Sequence, residues 1–187
     1  MAVSSAKRVS AKVVSAKAVA NKFLEFADKE KKGKQLTNMQ LQMLVYIAQG
    51  YTLAITDNKL YFEDTLAWRW GPVIVNLYQS LRKYGRSYVT EHLDVGLEEI
   101  HLEEDEEKIE IIKEVYKRYG GCSGLQLSNI TQKPNTPWSK TWGKGGKRVF
   151  VGEKRVVVPS IIDVSIIKDY YLRTLEAEKE AYLLEKR

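Results

Sequence analysis

The chain has little of what chemistry-bearing proteins display. Of its 187 residues one is cysteine, two are histidine and four are proline. The single thiol, Cys122, excludes an internal disulfide framework and fits a reducing compartment. His92 and His101 lie nine apart, without H-E-x-x-H or comparable ligand spacing, so a histidine-based metal site has no support. Neither histidine stands in a motif relation to Cys122, which therefore reads as a structural thiol. Ser/His/Asp, paired-carboxylate and nucleotide-binding patterns are also missing. No run of about 18 uncharged apolar residues occurs, which argues against a transmembrane helix. These absences point to a protein that is not an enzyme, needs no cofactor or metal, and does not enter a membrane.

What is present suits one folded domain with extensions. The length permits a sizeable hydrophobic core, and an apolar fraction of 44% is ordinary for a globular chain. The net charge of +6 permits an acidic partner or weak nucleic-acid contact and demands neither. Charge is unevenly placed, however. Residues 1–21 hold Lys7, Arg8, Lys12 and Lys17 and no acid, whereas 98–110 hold eight carboxylates. Lys140 to Arg155 is basic again. The acidic run is best read as the start of a helix, where carboxylates meet the positive end of the dipole.

The N-terminus repeats a pentapeptide, Ser5 to Val9, Ser10 to Val14 and Ser15 to Val19. A period of five fits neither a helical stripe nor strand alternation. Residues 1–15 accordingly read as a flexible basic leader, a solvated tail or an arm that touches a partner. Residues 16–175 read as the folded domain and 176–187 as the polar, fraying end of its last helix.

The fold class expected is mainly α, a single compact multi-helix domain with room for a short β-hairpin or extended pieces. Ala18 to Lys29 places Val19, Phe23 and Phe26 on one face. Thr37 or Asn38 can cap a helix in which Leu41, Leu44, Val45 and Ala48 recur at helical spacing. Only Gln42 and Gln49 mark a polar strip on it, so this helix should be central. Asp57-Asn58-Lys59 supplies a turn. Pro72 suits the first turn of the next helix, in which Val73, Ile74, Leu77, Tyr78 and Leu81 face inward and Asn76, Gln79, Arg82 and Lys83 face water. Gly85 closes it. Extended pieces are expected around Leu60–Phe62 and Leu97–Leu102. Glu106 to Tyr119 is amphipathic, Ser123 caps a short helix, Pro137-Trp138 marks a helical turn, 143–148 is a loop, and Asp163 caps the final helix.

Within this pattern Leu41 to Gly85, with its core Trp68-Arg69-Trp70-Gly71-Pro72, resembles the Panacea domain, the SocA-like antitoxin domain of bacteria, prophages and phages. The likeness continues through Glu114 to Gly120, Ser123 to Ser128, Thr131 to Trp138 and the closing Ile161 to Tyr171, covering about residues 18–173. Gln42-Met43 replaces a common Lys-Leu, and Trp70 replaces the usual Tyr; both changes keep size or helix propensity. The leader lies outside the pattern. The resemblance implies a mostly helical protein that neutralises a toxin by direct binding. In one branch the domain is an adaptor delivering the toxin to an ATP-dependent protease. It also implies one scaffold paired with many unrelated toxins, each encoded beside it, in the cytoplasm of a bacterium or a phage-infected host. A phage accessory protein that binds a host factor, and a nucleic-acid-binding regulator, are the competing readings. The second draws on the leader, the basic loop and an isoelectric point near 9.2.

Candidate contacts to a partner are Arg69, the helix surface at Gln79, Arg82 and Lys83, and the basic loop with Lys144, Lys147 and Arg148. Lys144-Gly145-Gly146-Lys147-Arg148 lacks the G-x-x-x-x-G-K-[ST] spacing of a P-loop, so a basic protein contact is the better reading. Trp68, Trp70, Gly71, Pro72 and Trp138 are expected to be structural. In that reading the indoles fill the core, Arg69 pairs with a buried carboxylate or carbonyl, and Gly71-Pro72 sets a helix start. The alternative is an aromatic–arginine hot spot. Trp138 and Trp142, one helical turn apart, are assigned to packing under the last helix in preference to stacking on bases.

Overall fold

Helix α2 (Asn38–Thr56) is the axis of the molecule. The computed structural model describes residues 13–30, 33–151 and 153–186. In it every residue of α2 from Leu41 to Leu53 is buried. Thr37 opens the helix as half of a capping box with Gln40, each side chain satisfying the other's backbone N–H. Asp57 ends it in the left-handed conformation at φ 59°, the turn read at Asp57-Asn58. A helix without a polar face must be covered on all sides. Its cover is α1 (Ala16–Asp28), α3 (Val75–Leu81), α5 (Glu106–Tyr119), α6 (Gly124–Thr131) and α8 (Val164–Glu185), together with strand β2 (Gly71–Ile74). The remaining elements are β1 (Thr65–Trp68), a 3-10 turn (Arg82–Tyr84), α4 (Glu98–Glu103), α7 (Pro137–Trp142), β3 (Lys147–Val151) and β4 (Lys154–Val158). The mainly helical expectation holds, with two small antiparallel hairpins added to it.

Gln42 and Gln49 do not form a strip toward water. Both are buried and act as surrogate backbone. Gln42 Oε1 accepts from Ile74 N at 3.0 Å, while its Nε2 donates to Ile74 O at 3.5 Å. Gln49 Oε1 accepts from Leu60 N at 2.6 Å and Tyr61 N at 3.3 Å. Irregular chain at Leu60-Tyr61 and the free edge of β2 are thereby satisfied inside the core, where an orphaned amide is costly.

Pro72 does not start a helix. It lies in β2 opposite Ala67, and α3 begins only at Val75. The hydrogen bonding explains why a strand accepts a proline here. Ala67 N donates away from β2, to Ser160 O at 2.9 Å, so the Ala67–Pro72 pair is a position at which the ladder needs no N–H. Thr65 O accepts from Ile162 N at 2.8 Å, so residues 160–162 cover the second edge of β1. The inward set Val73, Ile74, Leu77 and Leu81 is nevertheless buried as expected, Tyr78 half-buried, and Gly85 caps the end at φ 55°.

Other expectations shift locally. Val14 and Ser15, placed in the leader, belong to the folded body: Val14 bridges to Tyr61 and is buried, and the Ser15 side chain caps α1. Residues 1–12 of that leader lie outside the described residues. Leu97–Leu102 is not extended; Glu98–Glu103 forms helix α4, whose one buried anchor among the described residues, Leu102, is too little for a helical period to show in sequence. The loop at 143–148 is irregular only through Gly146, since Lys147 and Arg148 begin β3, which pairs with the valine-rich β4. The end of α8, expected to fray, is helical to Glu185.

Helix α8 reaches α2 through one close approach. A Cβ added at Gly50 would stand 2.1 Å from Cε2 of Tyr171. The ring packs edge-on against Tyr51, with centroids 4.9 Å apart, and against Tyr46 at 6.4 Å. Burial pushes the Tyr46 and Tyr171 phenols well above their ordinary range, so both stay neutral.

Candidate functional site

The tip of the β1–β2 hairpin combines a fixed backbone with free side chains. Trp68 O accepts from Trp138 Nε1 of α7 at 2.8 Å, and Trp70 O accepts from Ser128 Oγ of α6 at 2.8 Å. Gly71 follows at φ 119°, with Met43 Cε and Thr131 Oγ1 only 3.0 and 3.3 Å from where a Cβ would sit. Only glycine adopts this backbone angle without strain, and only glycine leaves room for Met43. Trp68 is half-buried and meets Tyr78 of α3 edge-to-face at 5.3 Å. Its own Nε1 is buried without an acceptor among the described residues.

Arg69 and Trp70 depart from the structural reading given to them. Trp70 is 59% exposed and does not fill the core. The Arg69 guanidinium lies 5.0 Å from the centre of the Trp70 ring, a cation–π contact, and has no carboxylate partner among the described residues. The reason lies in the hairpin register. Trp68 pairs with Gly71, so Arg69 and Trp70 form the two-residue connection and their side chains leave the fold. Gly71, Pro72 and Trp138 are buried in the framework and Trp68 is half-buried, with Gly71-Pro72 opening a strand where a helix start was expected.

Beside the tip runs a groove of about 560 Å³. Trp68 and Arg69 form one wall, Trp142 and Gly145 the other, and Pro159 and Ser160 close it. Trp142 is stacked on Trp138, with ring centroids 5.4 Å apart and planes 12° apart, yet it remains 45% exposed. The pair therefore packs α7 onto the hairpin while leaving one indole face to the groove. Among the described residues no carboxylate lines this groove and Arg69 contributes a positive charge to it, with exposed Lys144 adjacent in sequence to Gly145. An aromatic, cationic groove of this kind suits an apolar segment carrying acidic groups.

The structure brings together only part of the candidate set. Arg69 and the start of the basic loop share the groove, but Lys144 itself does not line it. The side chains of Lys147 and Arg148 lie outside the described residues. Gln79, Arg82 and Lys83 are exposed, as expected, on a different surface; Gln79 lines a separate groove with Asn76 and Asp94. Lys83 is committed to Glu91 at 3.0 Å and lies over Tyr84 at 4.9 Å. The hydrogen bond with Glu91 raises the Lys83 pKa and lowers that of Glu91. Cys122 is half-buried, with its carbonyl accepting from Gln40 Nε2 at 2.9 Å. His92 approaches Asp28 at 3.7 Å and His101 approaches Glu104 at 3.8 Å. Among the described residues no three acidic, histidine or cysteine groups converge as a metal site. No helix there is long and apolar enough to cross a membrane.

Comparison with known families decides what this scaffold is. The family model described as antitoxin SocA-like, Panacea domain, matches residues 41–139, 99 of the 187. The chain belongs to the Panacea-domain family. The matched part of this Panacea domain runs from α2 through the hairpin to the middle of α7. It includes Trp68, Arg69 and Trp70 but stops short of Trp142, Gly145 and Ser160. The groove beside the Panacea hairpin thus has one wall inside the family match and one outside it. No curated protein and no solved structure matched the chain. Sequence reasoning did not find the contribution of Trp142, Pro159 and Ser160 to this groove. No local signal announces it, because those residues reach β1 only through tertiary pairing.

Proposed function

We propose that this Panacea-domain protein neutralises a toxin by stoichiometric protein–protein binding, without turnover, in the cytoplasm of a bacterial cell or phage-infected host. The observation that carries the reading is the exposed Trp70–Arg69 pair on an anchored hairpin within the matched part of an antitoxin family. Aromatic and arginine side chains dominate binding energy when a partner can desolvate them. Little conformational entropy is lost at such a contact, since α6 and α7 already hold the backbone of the tip. Trp142 extends the contact along the groove, and exposed Lys144 follows it in the chain just before Gly145. That wall lies outside the family match, and in this reading it is the part that adapts the scaffold to its particular partner.

Delivery of the bound toxin to an ATP-dependent protease is a second step compatible with this binding. The test is co-expression of the neighbouring gene in a bacterial host, with and without this chain. Growth rescue with a recoverable complex supports neutralisation by contact, whereas rescue with loss of the partner protein supports delivery to a protease. A harmless or unbound neighbour removes the main support for the reading.

A further inference from the structure

A second groove, of about 360 Å³, lies between the end of α2, α5 and α8. Its floor is apolar, made by Tyr51, Ile55, Ile111, Val115 and Leu175. Ile55 is the anomaly: α2 is buried from Leu41 to Leu53, yet this aliphatic residue one half-turn later is 49% exposed. Along one rim stand Glu107, Glu110 and Glu114, spaced i, i+3 and i+7 on α5 and so aligned on one face over about 10 Å of helix. The one cation lining the groove among the described residues, Arg118, is matched internally, donating to Glu178 at 2.5 Å and to Tyr51 Oη at 2.9 Å. Among the described residues Glu110 and Glu114 pair only with exposed lysines one turn away, Lys113 at 2.9 Å and Lys117 at 3.6 Å. Pairs of that kind hold little energy and exchange readily. Glu107 has no ion pair among the described residues.

We propose that this groove is a second docking site, taking a cationic amphipathic helix of a partner protein. Its aliphatic side chains would lie on Ile55, Ile111 and Val115, and its lysines or arginines along Glu107, Glu110 and Glu114. The rim carries the repeat of a helix face, which a second helix matches with anchors at i, i+3 or i+4 and i+7. Its charge selects the sign of the partner. A second copy of this chain offers a poor match: residues 176–184, where α8 exposes Tyr182, Leu183 and Leu184, contain three glutamates against one lysine. The hairpin groove is cationic and this one anionic, so the two select segments of opposite charge. The proposal does not depend on the toxin reading.

The full chain is titrated with a labelled helical peptide of about fourteen residues, built from leucine and lysine with leucines at i, i+3, i+4 and i+7. Fluorescence anisotropy is recorded at low and at about 0.3 M salt. Saturable binding is expected, weakened at least about tenfold by high salt and by the doubly reversed variant Glu107→Lys/Glu114→Lys. That variant should gain binding of the matching leucine–glutamate peptide. Ile55→Asp should abolish binding of the leucine–lysine peptide, and Arg69→Ala should leave it unchanged. All these positions are exposed, and circular dichroism checks that each variant is folded. Equal binding by a scrambled leucine–lysine peptide, or charge-reversed binding like that of the unaltered chain, overturns the proposal. So does a roughly tenfold gain on deleting residues 1–12, which would make the chain's own basic leader the occupant.

Discussion

Replacing Gly50 by alanine tests the packing on which the fold depends. In an isolated helix the change would stabilise by about 1 kcal/mol, because glycine is the poorer helix former. Here the new Cβ would stand 2.1, 2.2 and 2.6 Å from three atoms of the Tyr171 ring, where carbon contacts normally begin near 3.5 Å. The ring would have to retreat by more than about 1 Å. It cannot do so cheaply, being nearly buried and in contact with Tyr46 and Tyr51. Overpacking a filled core costs about 1–3 kcal/mol, and loosening two aromatic pairs adds about 0.5–1.5 kcal/mol each. Net of the helix gain, Gly50→Ala should destabilise by about 1–5 kcal/mol, lowering Tm by about 2–20 °C for a chain of this size. Thermal and urea denaturation followed by circular dichroism measure this. The decisive comparison is the double variant. With Tyr171→Ala already present, Gly50→Ala should be neutral or stabilising by about 1 kcal/mol. Additive losses, or a single variant as stable as the parent, would refute a direct α2–α8 contact at Gly50.

Gln49→Leu should cost about 2–4 kcal/mol in urea denaturation, because it strips acceptors from the buried N–H groups of Leu60 and Tyr61. A loss under about 0.5 kcal/mol would mean that the glutamine is not acting as backbone. Gln42→Leu should be milder, since one of its two bonds to Ile74 is long, at 3.5 Å. Stability should also respond to pH through the cluster at Lys22. Burial pushes the Glu25 carboxyl up, but hydrogen bonds from Lys22 and Lys29 outweigh it and hold the pKa below the ordinary 4.5. A lowered carboxyl contributes stability above pH 4.5 and loses it as pH falls through the folded value. Burial likewise lowers the Lys22 pKa, and hydrogen bonds to Glu103 and Glu25 outweigh it and raise the pKa above 10.5. That contribution is complete below pH 10.5 and fades at higher pH. Glu25→Gln should flatten the acid limb of the stability profile; an unchanged limb would assign acid sensitivity to other carboxylates.

Helices with a cap and a period were legible in the sequence. Thr37, Ser123 and Asp163 all cap where their chemistry indicates, and α5 occupies the amphipathic stretch from Glu106 to Tyr119. The hairpin was not legible, because four-residue strands have too few alternations to announce a period. Its edges are also completed by partners remote in sequence, Gln42 on one side and residues 160–162 on the other. The same remoteness hid the site. Sequence alone singled out Trp68-Arg69-Trp70-Gly71-Pro72 yet could not divide it into buried and exposed members. Whether an indole is core or contact depends on which residues form the connection, and that is a property of register. Gln42 and Gln49 carried a usable signal: long amides within the apolar stretch of a helix must be either solvated or bonded to backbone, and centrality of the helix leaves only the second.

The most direct test of the account is the affinity of this chain for the product of its neighbouring gene, by calorimetry, with Trp70→Ala and Arg69→Ala beside the unaltered protein. Both side chains are exposed, so neither variant should move the Tm appreciably. Each substitution should weaken binding by about 2 kcal/mol, roughly thirtyfold, and toxicity rescue should fail in parallel. Unchanged affinity with both side chains removed, or rescue without any measurable complex, would contradict it.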